Sequence, residues 1–185
     1  MSDPIERIIR SLLAESGDNC HREGLEDTPR RVASAYREMW VGYAQDPSTI
    51  LRTFDSEGHH DLISVTQIPF YSMCEHHLTP FFGVAHVGYI PEDRIVGISK
   101  IARVVEIFAR RLQVQERLTA QVADMLFEEP LGPRGVIVVL QAEHLCMAMR
   151  GILKPGTITT TSAIRGIFID DVDLRAEFLS LIQRR

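Results

Sequence analysis

Cys74-Glu75-His76-His77-Leu78 and, some seventy positions later, His144-Leu145-Cys146 are the residues whose types and spacing suit chemistry. Cys74 and His77 are three apart, which lets both side chains turn toward one ion, and Cys146 supplies a third ligand from a separate element. Two thiolates and one imidazole suit zinc, and three protein ligands leave a fourth position for water, as in a catalytic site. A water held in that way has a pKa near ~7 and becomes a nucleophile at neutral pH. The expectation is a zinc hydrolase. A closed structural site, completed by Cys20, His76, His86 or His144, is the competing reading of the same residues. Three cysteines, with no leader expected after Met1-Ser2-Asp3-Pro4, favour reduced thiols and metal over disulfides.

Basic residues gather at two helix starts. Ser99-Lys100-x-x-Arg103 places two cations on one helix face, where the backbone N–H groups and the helix dipole already favour an anion. Thr28-Pro29-Arg30-Arg31 repeats the pattern. Either could be only a solvated face, but the chain as a whole carries a net charge of -5, so an anionic substrate needs such a local cluster. The same charge gives no general attraction to nucleic acid or to anionic membrane. Gln115-Glu116 sets an amide beside a carboxylate, and a carboxylate can accept from the paired donors of a base such as guanine; it can also simply complement a helix dipole.

These residues need elements to hold them. At 185 residues, 45% apolar and 24% charged, the chain is sized for one soluble domain, with an N-terminal helical part over about 1–60 and the remainder over about 61–185. No apolar run approaches a membrane span, and a cytoplasmic location is expected. Ile5, Ile8, Ile9, Leu12 and Leu13 predict a helix over 4–15, and Thr28-Pro29 predicts another start, with Thr28 as N-cap. Residues 46–60 read as loop. Strands are expected over 62–68 and 81–90, and a helix after Ser99 as N-cap. A second helix follows over 115–129, strands over 136–149 and 157–168, and a closing helix over 173–184. Paired neighbouring strands with helices between them predict an α+β fold. Along the 136–149 strand, alternation puts His144, Cys146, Ala148 and Arg150 on one face.

Taken together, Gly24-Leu25-x-x-Thr28-Pro29-Arg30-Arg31-Val32, Ser72-Met73-Cys74-Glu75-His76-His77-Leu78, Gly97-Ile98-Ser99-Lys100-Ile101, Gln113-Val114-Gln115-Glu116-Arg117-Leu118-Thr119, His144-x-Cys146 and Met149-Arg150-Gly151 closely resemble GTP cyclohydrolase I. The resemblance runs from about residue 5 to the C-terminus. It implies a T-fold, an antiparallel sheet with helices on one face, in subunits that form a ring-shaped homodecamer with active sites at subunit interfaces. It implies hydrolysis of GTP at purine C8, loss of formate, and ribose rearrangement and closure to 7,8-dihydroneopterin triphosphate. By this resemblance Cys74, His77 and Cys146 hold Zn2+, and His76 and His144 move protons. Glu116, with Gln115 nearby, holds the guanine edge. Lys100, Arg103, Arg150 and Arg31 hold the triphosphate, with Ser99 near the ribose and phosphates. Val84, Ser34 and Thr157-Ile158 stand where the family often carries lysine or a Ser-Lys pair, which removes basic charge. A non-catalytic, zinc-stabilised purine-binding protein of the same fold is the alternative; two spare imidazoles, His76 and His144, speak against it.

Overall fold

The computed structural model describes residues 3–128 and 130–183. It divides into two compact units, Met1–Val41 and Gly42–Arg185. The first unit is helical: α1 (Pro4–Glu15), α2 (Glu23–Glu26) and α3 (Thr28–Met39). Asp3 caps α1, its carboxylate accepting from the Ile5 N–H at 2.9 Å, and it also pairs with Arg37 of α3. The start of α3 falls one residue earlier than expected: Asp27 takes the N-cap position and Thr28 is already helical.

In the second unit the stretch expected as loop, 46–60, contains a short 3-10 turn (Pro47–Ile50) and β1 (Thr53–Asp55). The chain continues through β2 (Ile63–Cys74), β3 (Pro80–Ile90), β4 (Arg94–Val96), α4 (Ile98–Ala109), β5 (Leu112–Gln113) and α5 (Gln115–Phe127). It closes with β6 (Gly135–His144), α6 (Leu145–Ala148), β7 (Ile158–Gly166) and α7 (Val172–Gln183). Two expected helix ends, Glu129 and Arg184, lie outside the described residues. Gly97, not Ser99, occupies the N-cap of α4.

The main sheet runs β5-β2-β3-β6-β7, and β1 pairs with β4 apart from it. Every long ladder is antiparallel, which fits the expected α+β class; only the two-residue β5 runs parallel, pairing Leu112 with Met73 and Gln113 with Cys74. Alternation fixes the two faces. Phe81, Ala85, Val87 and Tyr89 of β3, with Val136, Val138, Leu140 and Ala142 of β6, pack under Val104, Val105 and Phe108 of α4 and Leu118, Val122 and Leu126 of α5. On the opposite face Phe178 of α7 is buried with Ile90, Ile137 and Val139. Gly88 makes room for it: a Cβ there would stand 2.6 Å from the Phe178 ring. His86 is fully buried on this second face, and its Nδ1 accepts from the Gln67 N–H at 3.4 Å. Gln67 sits at the β2 bulge with φ +58°, in the left-handed region.

The strand expected over 136–149 ends at His144. Its partner β3 begins at Pro80, so His144 opposite Phe81 is the last rung. Without a neighbour to satisfy its backbone, the chain turns into the single helical turn α6. Cys146 therefore reaches the site from a helical turn and not by strand alternation.

Candidate metal centre and active site

The segment from Cys74 to Thr79 is a tight turn between β2 and β3. The Cys74 N–H donates to Thr79 O at 2.9 Å, the Leu78 N–H to Cys74 O at 2.9 Å, and Leu78 adopts φ +51°. This turn brings the His77 ring back over the strand end, with Nδ1 3.7 Å from Cys74 Sγ. α6 contributes Cys146, and the three ligand atoms of Cys74, His77 and Cys146 lie within 4.8 Å of one another. A tetrahedral zinc ion with ordinary bond lengths sets neighbouring ligand atoms ~3.5–3.8 Å apart, so a small contraction seats it. Burial pushes the Cys146 thiol up, and the neighbouring Cys74 adds to the shift. Two adjacent thiols resist ionising together unless a divalent cation neutralises them. The donor set and its electrostatics fit zinc.

His76 is exposed, with Nδ1 4.0 Å from Cys74 Sγ and Nε2 3.8 Å from Glu75 Oε1. Glu75 is paired with Arg117 of α5, whose guanidinium holds its carboxyl below the usual range. Arg117 also donates to Gln113 Oε1 at 3.0 Å and to Leu112 O at 3.2 Å. One side chain thus ties the metal turn to β5 and to the start of α5. Sequence reading gave Arg117 no role; only the spacing between Glu75 and the Q-E-R run, invisible without the fold, would have found it.

His144 stacks on Phe81, ring centroids 4.5 Å apart and planes 1° from parallel. Burial pushes its pKa down, with the Glu116 carboxylate partly opposing, so the neutral imidazole is favoured. Its Nε2 lies 2.8 Å from Gln115 Oε1. Gln115, expected at a base edge, is buried and committed to this contact, whereas Glu116 beside it is exposed at the start of α5.

The basic residues divide. Arg150 follows α6 and is exposed close in sequence to Cys146. Ser99, Lys100 and Arg103 stand on the first turns of α4, just after β4, where the Val96 N–H donates to the Tyr89 hydroxyl at 3.2 Å. Tyr89 lies eight residues along β3 from Phe81, about 26 Å at ~3.3 Å per residue. Within one chain the α4 start and the metal turn thus occupy opposite ends of the sheet. Arg103 opens instead on a cleft of about 510 Å³ lined by Asp46 and Glu106. Arg31 is exposed on α3 in the first unit and pairs with Asp27 at 3.3 Å. Val84 and Ile158 line a cleft of about 660 Å³ with Leu179 and Ile182 of α7, on the sheet face away from α4 and α5.

An α+β sheet protein with a Cys-His-Cys centre of zinc character, flanked by two further histidines, is the class that fold and site define. The family model for GTP cyclohydrolase I matches residues 5–183. A GTP cyclohydrolase 1 of Mycobacterium avium (strain 104) is 57% identical over 182 residues, covering 97% of this chain and 89% of its own. One from Mycobacterium tuberculosis (strain ATCC 25618 / H37Rv) is 57% identical over 182 residues, covering 97% and 90%. The archaeosine synthase QueF-Like in the apo form matches at TM-score 0.47 and 18% identity, over 57% of this chain and 93% of that one. The chain belongs to the GTP cyclohydrolase I family. The family is one of zinc-dependent hydrolases, and the Cys74, His77 and Cys146 group is suited to that metal.

Proposed function

We propose that this chain hydrolyses GTP at purine C8, releases formate, and rearranges and closes the ribose to give 7,8-dihydroneopterin triphosphate. The observation that carries the reading is the convergence of Cys74, His77 and Cys146 beside His144 and the Gln115-Glu116 helix start. Zinc bound there supplies a Lewis acid that brings the pKa of a water down to ~7. The chain's own residues do the rest. His144, kept neutral by burial, and His76, at the exposed mouth, move protons at the imidazole ring of the base. Glu116 accepts from the guanine N1–H and its 2-amino group.

Arg150, Lys100, Arg103 and Arg31 hold the triphosphate, with Ser99 near the ribose and phosphates. The start of α4, which carries Lys100, lies at the far end of the sheet from the metal turn of its own chain. On this reading the chain works as a homo-oligomer, a ring-shaped decamer, in which the α4 start of one subunit serves the metal centre of another. Among the described residues no helix is long and apolar enough to cross a membrane.

The test is incubation of the purified protein with GTP, followed by assay of formate and of a pterin chromophore. Both products in equal amounts are expected. GTP bound but recovered intact by zinc-loaded protein would instead favour the non-catalytic purine-binding alternative.

A further inference from the structure

The Gln115 amide has a defined direction. Its Nε2 lies 3.1 Å from Leu140 O, 2.9 Å from Thr159 O and 3.1 Å from Thr161 Oγ1. Two of these partners are backbone carbonyls, which only accept, so the NH2 group must face them. The reversed amide would press an oxygen against two oxygens in a site only 1% exposed. The hydroxyls around it agree. Thr119 Oγ1 donates to Gln115 O at 2.7 Å, and so must accept from Thr161 Oγ1, 2.6 Å away. Thr161, having donated, accepts from Gln115. Every hydrogen in the ring has one direction.

With NH2 fixed toward the sheet, Oε1 faces His144 Nε2 at 2.8 Å, and an amide oxygen only accepts. Nε2 must then carry a hydrogen. The neutral ring has one N–H, so Nδ1 keeps its lone pair. Stacking on Phe81 blocks rotation of the ring out of this plane.

We propose that Gln115 is a positioning residue, which holds His144 as the Nε2–H tautomer and leaves Nδ1 as the atom that exchanges protons during turnover. The proposal rests on His144 as a proton carrier and adds which nitrogen acts and what selects it. A proton taken by Nδ1 gives the imidazolium, and its release restores the neutral ring. Nε2 keeps its own hydrogen throughout, with the amide dipole aimed at it while the ring is charged. This assigns Gln115 to the histidine and leaves base recognition to Glu116.

The test uses the zinc-loaded protein with 15N-labelled histidine, sedimented and examined by solid-state NMR at a pH where His144 is neutral. A hydrogen on Nε2 and none on Nδ1 is expected. A hydrogen on Nδ1 overturns the proposal without any mutation. Gln115→Met keeps the volume and removes the amide: His144 should then show both tautomers, and kcat should fall ~10²-fold while KM for GTP and zinc content stay near wild type. A raised KM with unchanged kcat overturns it in the other direction, by placing Gln115 on the base. Thr161→Val, which leaves both carbonyl acceptors, should keep the tautomer and most of the turnover. His144→Ala with full activity would remove the proton carrier itself, a separate outcome from a wrong tautomer.

Discussion

Phe81 and His144 face each other as register partners at the end of the β3–β6 ladder, and their rings lie parallel at 4.5 Å. The last rung of the sheet is therefore also the mounting of the half-buried His144. Phe81 is fully buried, so Phe81→Ala should cost about 3–5 kcal/mol, read as a lower denaturation midpoint. Phe81→Leu should restore most of that stability. Its turnover should stay low, because Leu fills the space without offering a flat face to the imidazole.

Stability should depend on His86 in a defined pH window. Burial pushes its pKa below 6.5, and the Gln141 side chain only partly offsets this. The unfolded chain then takes up the proton first as pH falls. Stability is complete above about 6.5 and declines below it at up to ~1.4 kcal/mol per pH unit, levelling once the folded histidine also protonates. Denaturation midpoints from pH 7.5 to 5.5 should fall more for wild type than for His86→Gln. Parallel curves would mean that His86 titrates alike in both states.

Exposed Glu116 is expected to choose the base. ATP lacks the paired donors of guanine, and each lost charged hydrogen bond costs ~1.5–3 kcal/mol, so GTP should be preferred at least roughly tenfold. Glu116→Ala should erase that preference with zinc content unchanged. Competition assays with the two nucleotides measure it directly.

Chelation should separate chemistry from folding. The apolar core between the sheet and α4 and α5 is built mostly from side chains other than the ligands, so stripped protein should keep its helical signal while losing turnover. It should still bind guanine nucleotide and regain activity on adding zinc. Loss of the circular dichroism signal with the metal would assign zinc a structural role instead.

The shared site is testable by complementation. Lys100→Ala and Cys146→Ala proteins, each inactive alone, should recover part of the activity when unfolded and reassembled together, because some sites then receive both intact elements. No recovery in mixed assemblies would place Lys100 on the metal centre of its own subunit.

Much of this was legible in the chain. The i, i+3, i+4 stripe from Ile5 to Leu13 marks α1, and the alternation through Ala85, Val87 and Tyr89 marks β3. The three-residue spacing of Cys74 and His77 suggests a shared ion, and the fold brings both together with Cys146. What stayed hidden depends on partners distant in sequence. The end of β6 at His144 is set by where β3 begins, so the arrival of Cys146 from a helical turn could not be read from residues 136–149. Gln115 is expected near the base edge beside Glu116; contacts with Leu140, Thr159 and Thr161 bury it. Val84 and Ile158, where the family often carries basic residues, line a cleft with Leu179 and Ile182 of α7, a pairing that sequence alone does not show.

The separation of the α4 start from the metal turn has a consequence for a newly made subunit. On the shared-site reading, a freshly released chain carries the metal centre and Arg150 at one end and the cations of the α4 start at the other, so no single nucleotide meets the whole grip. Specific activity should then rise with protein concentration through the assembly range and vanish on deep dilution. The cell would be spared premature turnover of GTP by chains still finding their neighbours.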